Sequence, residues 1–283
     1  MRVVNVEFGP VDIAVEDLEV LESVTGLSRE ACTGRLERYH PREMADAWRK
    51  RNPVTPSEIR AFYASTDHYI WELLVWNATA RYDEIYLKPV RELMRRWPAE
   101  ENTRALDYGA GIGTVALIFA KAGYSVTVAD IPGPTFDFAR ARLERWGAHH
   151  EPLEVESDEP RLPVRRWDVI SCLDVIEHVP DPATLARALI EATTPSGGLA
   201  IKADFTTAGE DWPHHLAAVR EKFGGGRWER FLRGLGLRKV APSIYRRGPR
   251  LSALAARAED ALRRVASRTL AGARRGRRAE TVR

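Results

Sequence analysis

The chain has 283 residues, 44% of them hydrophobic and 29% charged, with a net charge of +3 and two cysteines. This composition describes a globular chain with one principal domain and excludes collagen-like, low-complexity and disordered polymers. Cys32 and Cys172 are too few and too far apart for a disulfide framework, and no zinc site is expected of them. The run from Val115 to Ala120 is far short of the ~20 residues of a membrane span, and no apolar leader is seen, so a cytoplasmic location is expected.

In chain order, the stretch from Pro41 to Trp97 reads as helical, with Pro53 and Pro56 marking a break and near-continuous helical patterning after it. Phe62, Tyr69, Leu73, Trp76 and Ala80 recur at helical spacing, so one apolar and aromatic face is expected. The aromatic residues Tyr63, Tyr69, Trp71, Trp76, Tyr82 and Tyr86 either pack an added helical layer or stack on a flat acceptor. Residues 1–100 are expected to form a helical cap.

Residues 104–130 read as a strand, a glycine turn, a helix and a second strand, Ser125 to Asp130. The turn is Asp107-Tyr108-Gly109-Ala110-Gly111-Ile112-Gly113, where glycine lets the backbone turn tightly and approach a ligand. Asp130 ends the second strand about twenty residues after Gly109, the spacing at which an acid reaches ribose hydroxyls. A dinucleotide fingerprint would place a glycine at 114, but Thr114 stands there. Asp107 would repel a pyrophosphate and suits the ammonium of a methionine group. Tyr-x-x-x-Lys, the pair of short-chain dehydrogenases, does not occur. These details turn the reading from a nicotinamide cofactor to S-adenosylmethionine.

A helix is expected around 135–146, a short third strand from Pro152 to Glu156, a fourth from Asp168 to Asp174 and a helix around 182–192. Asp181 and Pro182 form the start signal of that helix, an acceptor for orphan amides followed by a residue with no donor to lose. Cys172, within the fourth strand, reads as a small core residue. Trp167 to Pro182, with its acidic strand end and the Glu177-His178 pair, resembles class I S-adenosylmethionine-dependent methyltransferases, in particular the ubiquinone-type quinol O-methyltransferase branch. The resemblance covers about residues 100–245.

What the resemblance implies is a Rossmann-like, doubly wound seven-stranded sheet with one antiparallel member. Gly109, Ala110, Gly111 and Gly113 would admit the cofactor, Asp107 would face its amino-acid part, Asp130 would hold the ribose, and Ile131 and Leu173 would lie beside it. Asp158 would meet the adenine amino group or be a plain loop acid. If the acceptor is a hydroxyl, a histidine near neutral pKa is the expected base. His178 is the first candidate, unless Glu177-His178 only fixes its loop; His214 and His215 follow. Asp174, Glu177 and His178 match the branch's magnesium-binding set, with Asp in place of Glu.

A fifth strand is expected from Gly198 to Phe205, and a terminal pair at 236–240 and 243–246. From Arg246 to Arg283, twelve arginines stand against three acids, so this tail carries +9 and the body −6. A basic amphipathic helix is expected there, either packed or solvated, or in peripheral contact with a membrane or RNA. The domain reading is 1–100, 101–248 and 249–283. Neither the Pro-Pro-aromatic motif of base-amine methylation nor a Pro-Cys nucleophile is present, so a small-molecule acceptor is favoured over nucleic acid. The best reading is methyl transfer to a phenolic, quinol or sugar-like hydroxyl. The alternatives are an RNA-directed methyltransferase and a non-catalytic cofactor-binding protein acting through its tail. Oligomeric state is left open.

Overall fold

The computed structural model describes residues 2–6, 9–157, 160–206 and 212–247. Asp158 and the tail from 249 onward lie outside the described residues, and with them the adenine and amphipathic-helix expectations.

The chain opens on an antiparallel hairpin, β1 (Arg2–Val6) and β2 (Gly9–Ile13), which the helical-cap expectation missed. Helices α1 (Val15–Thr25), α2 (Arg29–Glu37), α3 (Arg42–Arg51), α4 (Pro56–Ser65) and α5 (His68–Asn77) follow. The expected near-continuous helix is broken at Thr66, where the backbone turns extended, and again at Thr79. Thr55 and Glu58 start α4 with a reciprocal capping box. A short α6 (Ala80–Tyr82) runs into a π-helical turn, Asp83–Leu87, and then α7 (Lys88–Arg96).

The remaining elements are β3 (Arg104–Tyr108), α8 (Thr114–Lys121), β4 (Ser125–Asp130), α9 (Pro134–Arg145), β5 (His150–Glu154), β6 (Trp167–Leu173), α10 (Pro182–Ala192), β7 (Thr193–Lys202), α11 (Ala217–Phe223), α12 (Arg227–Gly234), β8 (Leu237–Ala241) and β9 (Ile244–Arg247). A 3-10 turn, Ile176–His178, follows β6. The third strand begins two residues earlier than expected because its register is set by pairing with β4, Val126 opposite His150. The fifth strand begins at Thr193 rather than at Gly198, and takes in residues 194–197 at a register shift against β6. Asp181 caps α10 as expected, its Oδ1 accepting from the amides of Ala183 and Thr184.

The sheet order is β5-β4-β3-β6-β7-β9-β8, with β9 antiparallel to both neighbours and the remaining strands parallel. Consecutive strand residues face opposite sides of a sheet, so Leu106, Ile170 and Leu199 enter one core while Ala105, Val169 and Ala200 enter the other. Cys172 is a buried core residue, as expected. Strand order reverses at β3, and ligands of open α/β sheets bind at the carboxyl ends of the strands beside such a switch point.

A buried ion pair fastens the N-terminal layer to this sheet. Arg142 on α9 donates from Nε and Nη2 to the two oxygens of Asp17 on α1, each at 2.8 Å. Its Nη1 donates to the Ile112 carbonyl and to Thr114 Oγ1, which also accepts from Asn77 of α5. Thr114, the residue that broke the dinucleotide pattern, is thus the junction of α5, α8 and α9. Among the described residues, no helix is long and apolar enough to cross a membrane.

Candidate functional site

A cavity of about 990 Å³ lies over the carboxyl ends of β3, β4, β6 and β7, roofed by α4, α5 and the π-helical turn. One end is the glycine loop. Gly109 and Gly111 have φ of +69° and +56°, a backbone that strains any other residue, and a Cβ at Gly109 would stand 2.2 Å from Val175 Cγ2. Gly109, Ala110 and Gly111 line the cavity; Gly113 instead caps α8 in the left-handed region, behind it.

The loop donors are spent internally. The amides of Gly109 and Ala110 both bond the Ala129 carbonyl, Gly111 donates to Asp130 Oδ2 at 2.6 Å, and Gly113 to the Ala110 carbonyl. A phosphate needs several converging free amides, and this loop offers few, which agrees with a cofactor that has no phosphate. Asp130 also accepts from its neighbour Ile131 at 2.7 Å, and burial raises its carboxyl to about 6 against the lowering effect of those two amides. Each oxygen keeps a lone pair, and Asp130 and Ile131 both line the cavity, so they fit a ribose and the ring attached to it.

Asp107 departs from the expectation. It is 4% exposed and does not line the cavity: Oδ2 accepts from the Ala116 amide in the first turn of α8, and Oδ1 from the Ser171 hydroxyl at 2.6 Å. It serves the helix end, whose orphan amides and positive dipole favour an acid, and burial raises its carboxyl to about 6.

The far end of the cavity is aromatic. Tyr63, Tyr69, Trp76, Tyr82 and Tyr86 line it, whereas Trp71 turns into the core under the N-terminal hairpin, correcting the grouping of all six. Helix α5 carries apolar residues on both faces: Ile70, Trp71 and Leu74 face the core, while Tyr69, Leu73, Val75 and Trp76 line the cavity. Tyr82 and Tyr86 pack at 5.0 Å across the π-helical turn, a feature frequent at functional sites. Glu72, missed by the sequence reading, also lines the cavity. Burial raises it to about 7 although the Tyr39 hydroxyl donates to it at 3.0 Å. Its sequence signal was visible: it is the one acid in the apolar run from His68 to Asn77.

The expected magnesium set is not brought together. Adjacent residues of a 3-10 turn diverge by about 120°, while residues three apart align. Asp174, just before the turn, and Glu177 form a buried pair, each carboxyl raised first by burial and Glu177 further by Asp174. Glu177 Oε1 accepts from the Asp204 amide, Asp174 has Lys202 and Tyr86 beside it, and Leu173 lines the cavity next to Asp174. His178 turns the other way, toward the segment after β7.

There it meets the other two candidates. His178 stacks on His214 with ring centroids 5.3 Å apart, and His215 lies 4.8 Å from His178 and 5.1 Å from His214. His178 Nδ1 is 3.1 Å from both the His214 carbonyl and the Tyr63 hydroxyl. A carbonyl only accepts, so Nδ1 carries the proton and Nε2 the lone pair. Burial, then the neighbouring imidazoles, push the pKa of His178 well below its usual value and that of His214 down to about 3, so both are neutral near pH 7.

The family described as a methyltransferase domain matches residues 80–240, more than half of the chain. A ubiquinone biosynthesis O-methyltransferase of Hydrogenovibrio crunogenus is 26% identical over 173 residues, covering 60% of this chain and 68% of the relative. The protein of that name from Yersinia pestis is 27% identical over 153 residues, covering 52% of this chain and 60% of its own length. Of solved structures, a phospholethanolamine N-methyltransferase 2 of Haemonchus contortus overlaps 69% of this chain and 44% of its own, with 20% identity and a TM-score of 0.47. An Aquifex aeolicus SAM-dependent methyltransferase overlaps 68% and 96%, with 15% identity and a TM-score of 0.42. The chain belongs to the methyltransferase-domain family and is a class I S-adenosylmethionine-dependent methyltransferase.

Proposed function

We propose that the chain methylates a hydroxyl of a small-molecule acceptor, of phenolic, quinol or sugar-like chemistry. The observation that carries this reading is the neutral His178 imidazole, whose Nε2 lone pair belongs to a residue lining the aromatic end of the cavity. The O-methyltransferase names of the two relatives support it. The cavity is at the upper end of the ~300–1,000 Å³ of small-molecule sites, room for cofactor and acceptor together.

S-adenosylmethionine, when bound, supplies an activated methyl group on a sulfonium. The protein then has to place and desolvate. Gly109, Ala110 and Gly111 admit the cofactor to the backbone, Asp130 accepts from its ribose hydroxyls, and Ile131 and Leu173 cover its ring. The tyrosines and Trp76 hold the acceptor plane and exclude water, so that oxygen and methyl carbon meet in line. His178 activates the hydroxyl through Nε2; His214 orients it, its carbonyl fixing the Nδ1 proton. Asp107 and Gly113 act one layer behind, on the loop and helix α8.

Methyl-labelled cofactor offered with a catechol such as 3,4-dihydroxybenzoate, a primary amine and an unmodified RNA tests the reading. Label on the catechol oxygen is the expected result. Transfer only to the amine or the RNA would overturn it.

A further inference from the structure

Two short segments bring three imidazoles together beside the acceptor end of the cavity, and they are pinned to each other. The Leu216 amide donates to the Glu177 carbonyl at 3.0 Å, and the His215 amide to that of Trp212 at 3.1 Å, closing a turn around His214. One nitrogen from each of His178, His214 and His215 lies within 4.8 Å of the other two. His214 is 2% exposed and its Nδ1 has no hydrogen-bond partner, an expensive state for a buried polar atom that nothing else at the site explains.

We propose that His178, His214 and His215 form a site for one divalent transition-metal ion of the zinc class, opening onto the acceptor end of the cavity. Imidazole suits zinc, copper, iron and nickel, whereas magnesium prefers oxygen. Ligand nitrogens ~2.0–2.1 Å from a tetrahedral ion stand roughly 3.3 Å apart, so closing the triangle moves each ring nitrogen by about 1 Å or less, a side-chain rotation. The bond from His178 Nδ1–H to the His214 carbonyl is the arrangement by which ligating histidines are ordinarily oriented, with the second nitrogen left for the ion.

Three protein ligands leave a fourth position for water or the acceptor oxygen. This use of the ion rests on the hydroxyl-methylation reading. The metal-held O–H bond breaks with its proton passing to water, the oxygen forms the bond to the methyl carbon, and the S–C bond breaks with its electron pair remaining on sulfur. His178 then activates the acceptor as a ligand, and no separate base is required.

The test uses the full chain, stripped with a chelator, dialysed and titrated with Co2+ while its visible d–d bands are recorded. One ion per chain is expected, displaced by Zn2+ and not by Mg2+. His214→Ala and His215→Gln are each expected to weaken Co2+ binding by at least ~100-fold, beyond the ~10–100-fold typical of losing a ligand's partner, with S-adenosylmethionine affinity retained as the check on folding. The exposed His149→Gln serves as control, with no change. Absence of saturable binding, or binding unaltered in both folded variants, overturns the site, and displacement by Mg2+ does so by assigning the ion to carboxylates. Ion binding without catechol methylation sinks the hydroxyl reading and leaves the site standing; catechol methylation at full rate with no ion bound does the reverse.

Discussion

The two ends of the cavity are built on opposite principles. At the glycine-loop end, one continuous stretch from β3 to β4 satisfies its own polar groups: the amides of Gly109, Ala110 and Gly111 end on the Ala129 carbonyl and Asp130. At the aromatic end, residues more than a hundred positions apart meet, as in Tyr63 with His178, the buried carboxyls of Asp174 and Glu177 crowd together, and His214 Nδ1 has no hydrogen-bond partner. A self-satisfied end is a fixed socket for a constant ligand. An end holding unpaired, perturbed groups stores the chemistry, as active sites commonly do.

The contrast is broken most directly at His178. His178→Ala is expected to lower kcat by about 10²–10⁴ with cofactor affinity within about twofold, measured by labelled-methyl turnover and calorimetry; a parallel loss of cofactor binding would mean that the two ends are not separable. Gly109→Ala should do the converse. Its Cβ meets Val175 at 2.2 Å in a left-handed conformation, so cofactor affinity should fall by roughly 100-fold, which is ~2.7 kcal/mol.

Arg142→Met tests whether the N-terminal layer holds the socket. It leaves the buried Asp17 carboxylate with the Trp146 indole donor but without its counter-charge and should cost about 3–5 kcal/mol in urea unfolding. Asp130→Asn should weaken cofactor binding by about tenfold, and the pH dependence sharpens the assignment. The folded carboxyl keeps its proton up to about 6, above the ordinary 3.8, so rising pH between those values lowers the stability of the ligand-free chain. Cofactor affinity should instead rise as pH passes 6, because the carboxylate is the better acceptor for ribose hydroxyls; a flat profile from pH 5 to 8 would remove Asp130 from the ribose. The smallest effect is expected for Glu72→Gln. With Glu72 raised to about 7, the neutral amide should match it below pH 6, within about threefold in kcat/KM, and diverge only above pH 7 where the native carboxylate forms.

Much of the cofactor end was legible because its contacts are local. Strand, turn, helix and terminal acid succeed one another within about thirty residues, and each leaves a mark in residue type: glycine where φ is positive, Asp130 at a strand end, Asp181-Pro182 at a helix start. Asp107 was misjudged because a sequence shows an acid near a loop but not the Ser171 hydroxyl and Ala116 amide that consume it. The metal set failed for a similar reason. Asp174, Glu177 and His178 are neighbours in sequence, and a 3-10 turn sends the last of them to the opposite side. The hairpin β1–β2 left a weaker mark, because two strands of five residues each are defined by their cross-strand pairing and not by a long local period.

By itself, the sequence determined the α/β class, the glycine-bearing turn between two strands and the cofactor type, because hydrophobic period, positive-φ glycines and a correctly spaced acid are properties of consecutive residues. Only the tertiary structure decided the acceptor end: which tyrosines face the cavity, that Glu72 is buried there, and that His214 and His215 close on His178. Those juxtapositions come from packing elements remote in the chain, where burial and neighbouring charge set each group's protonation, and neither quantity is encoded in the spacing of residues along the chain.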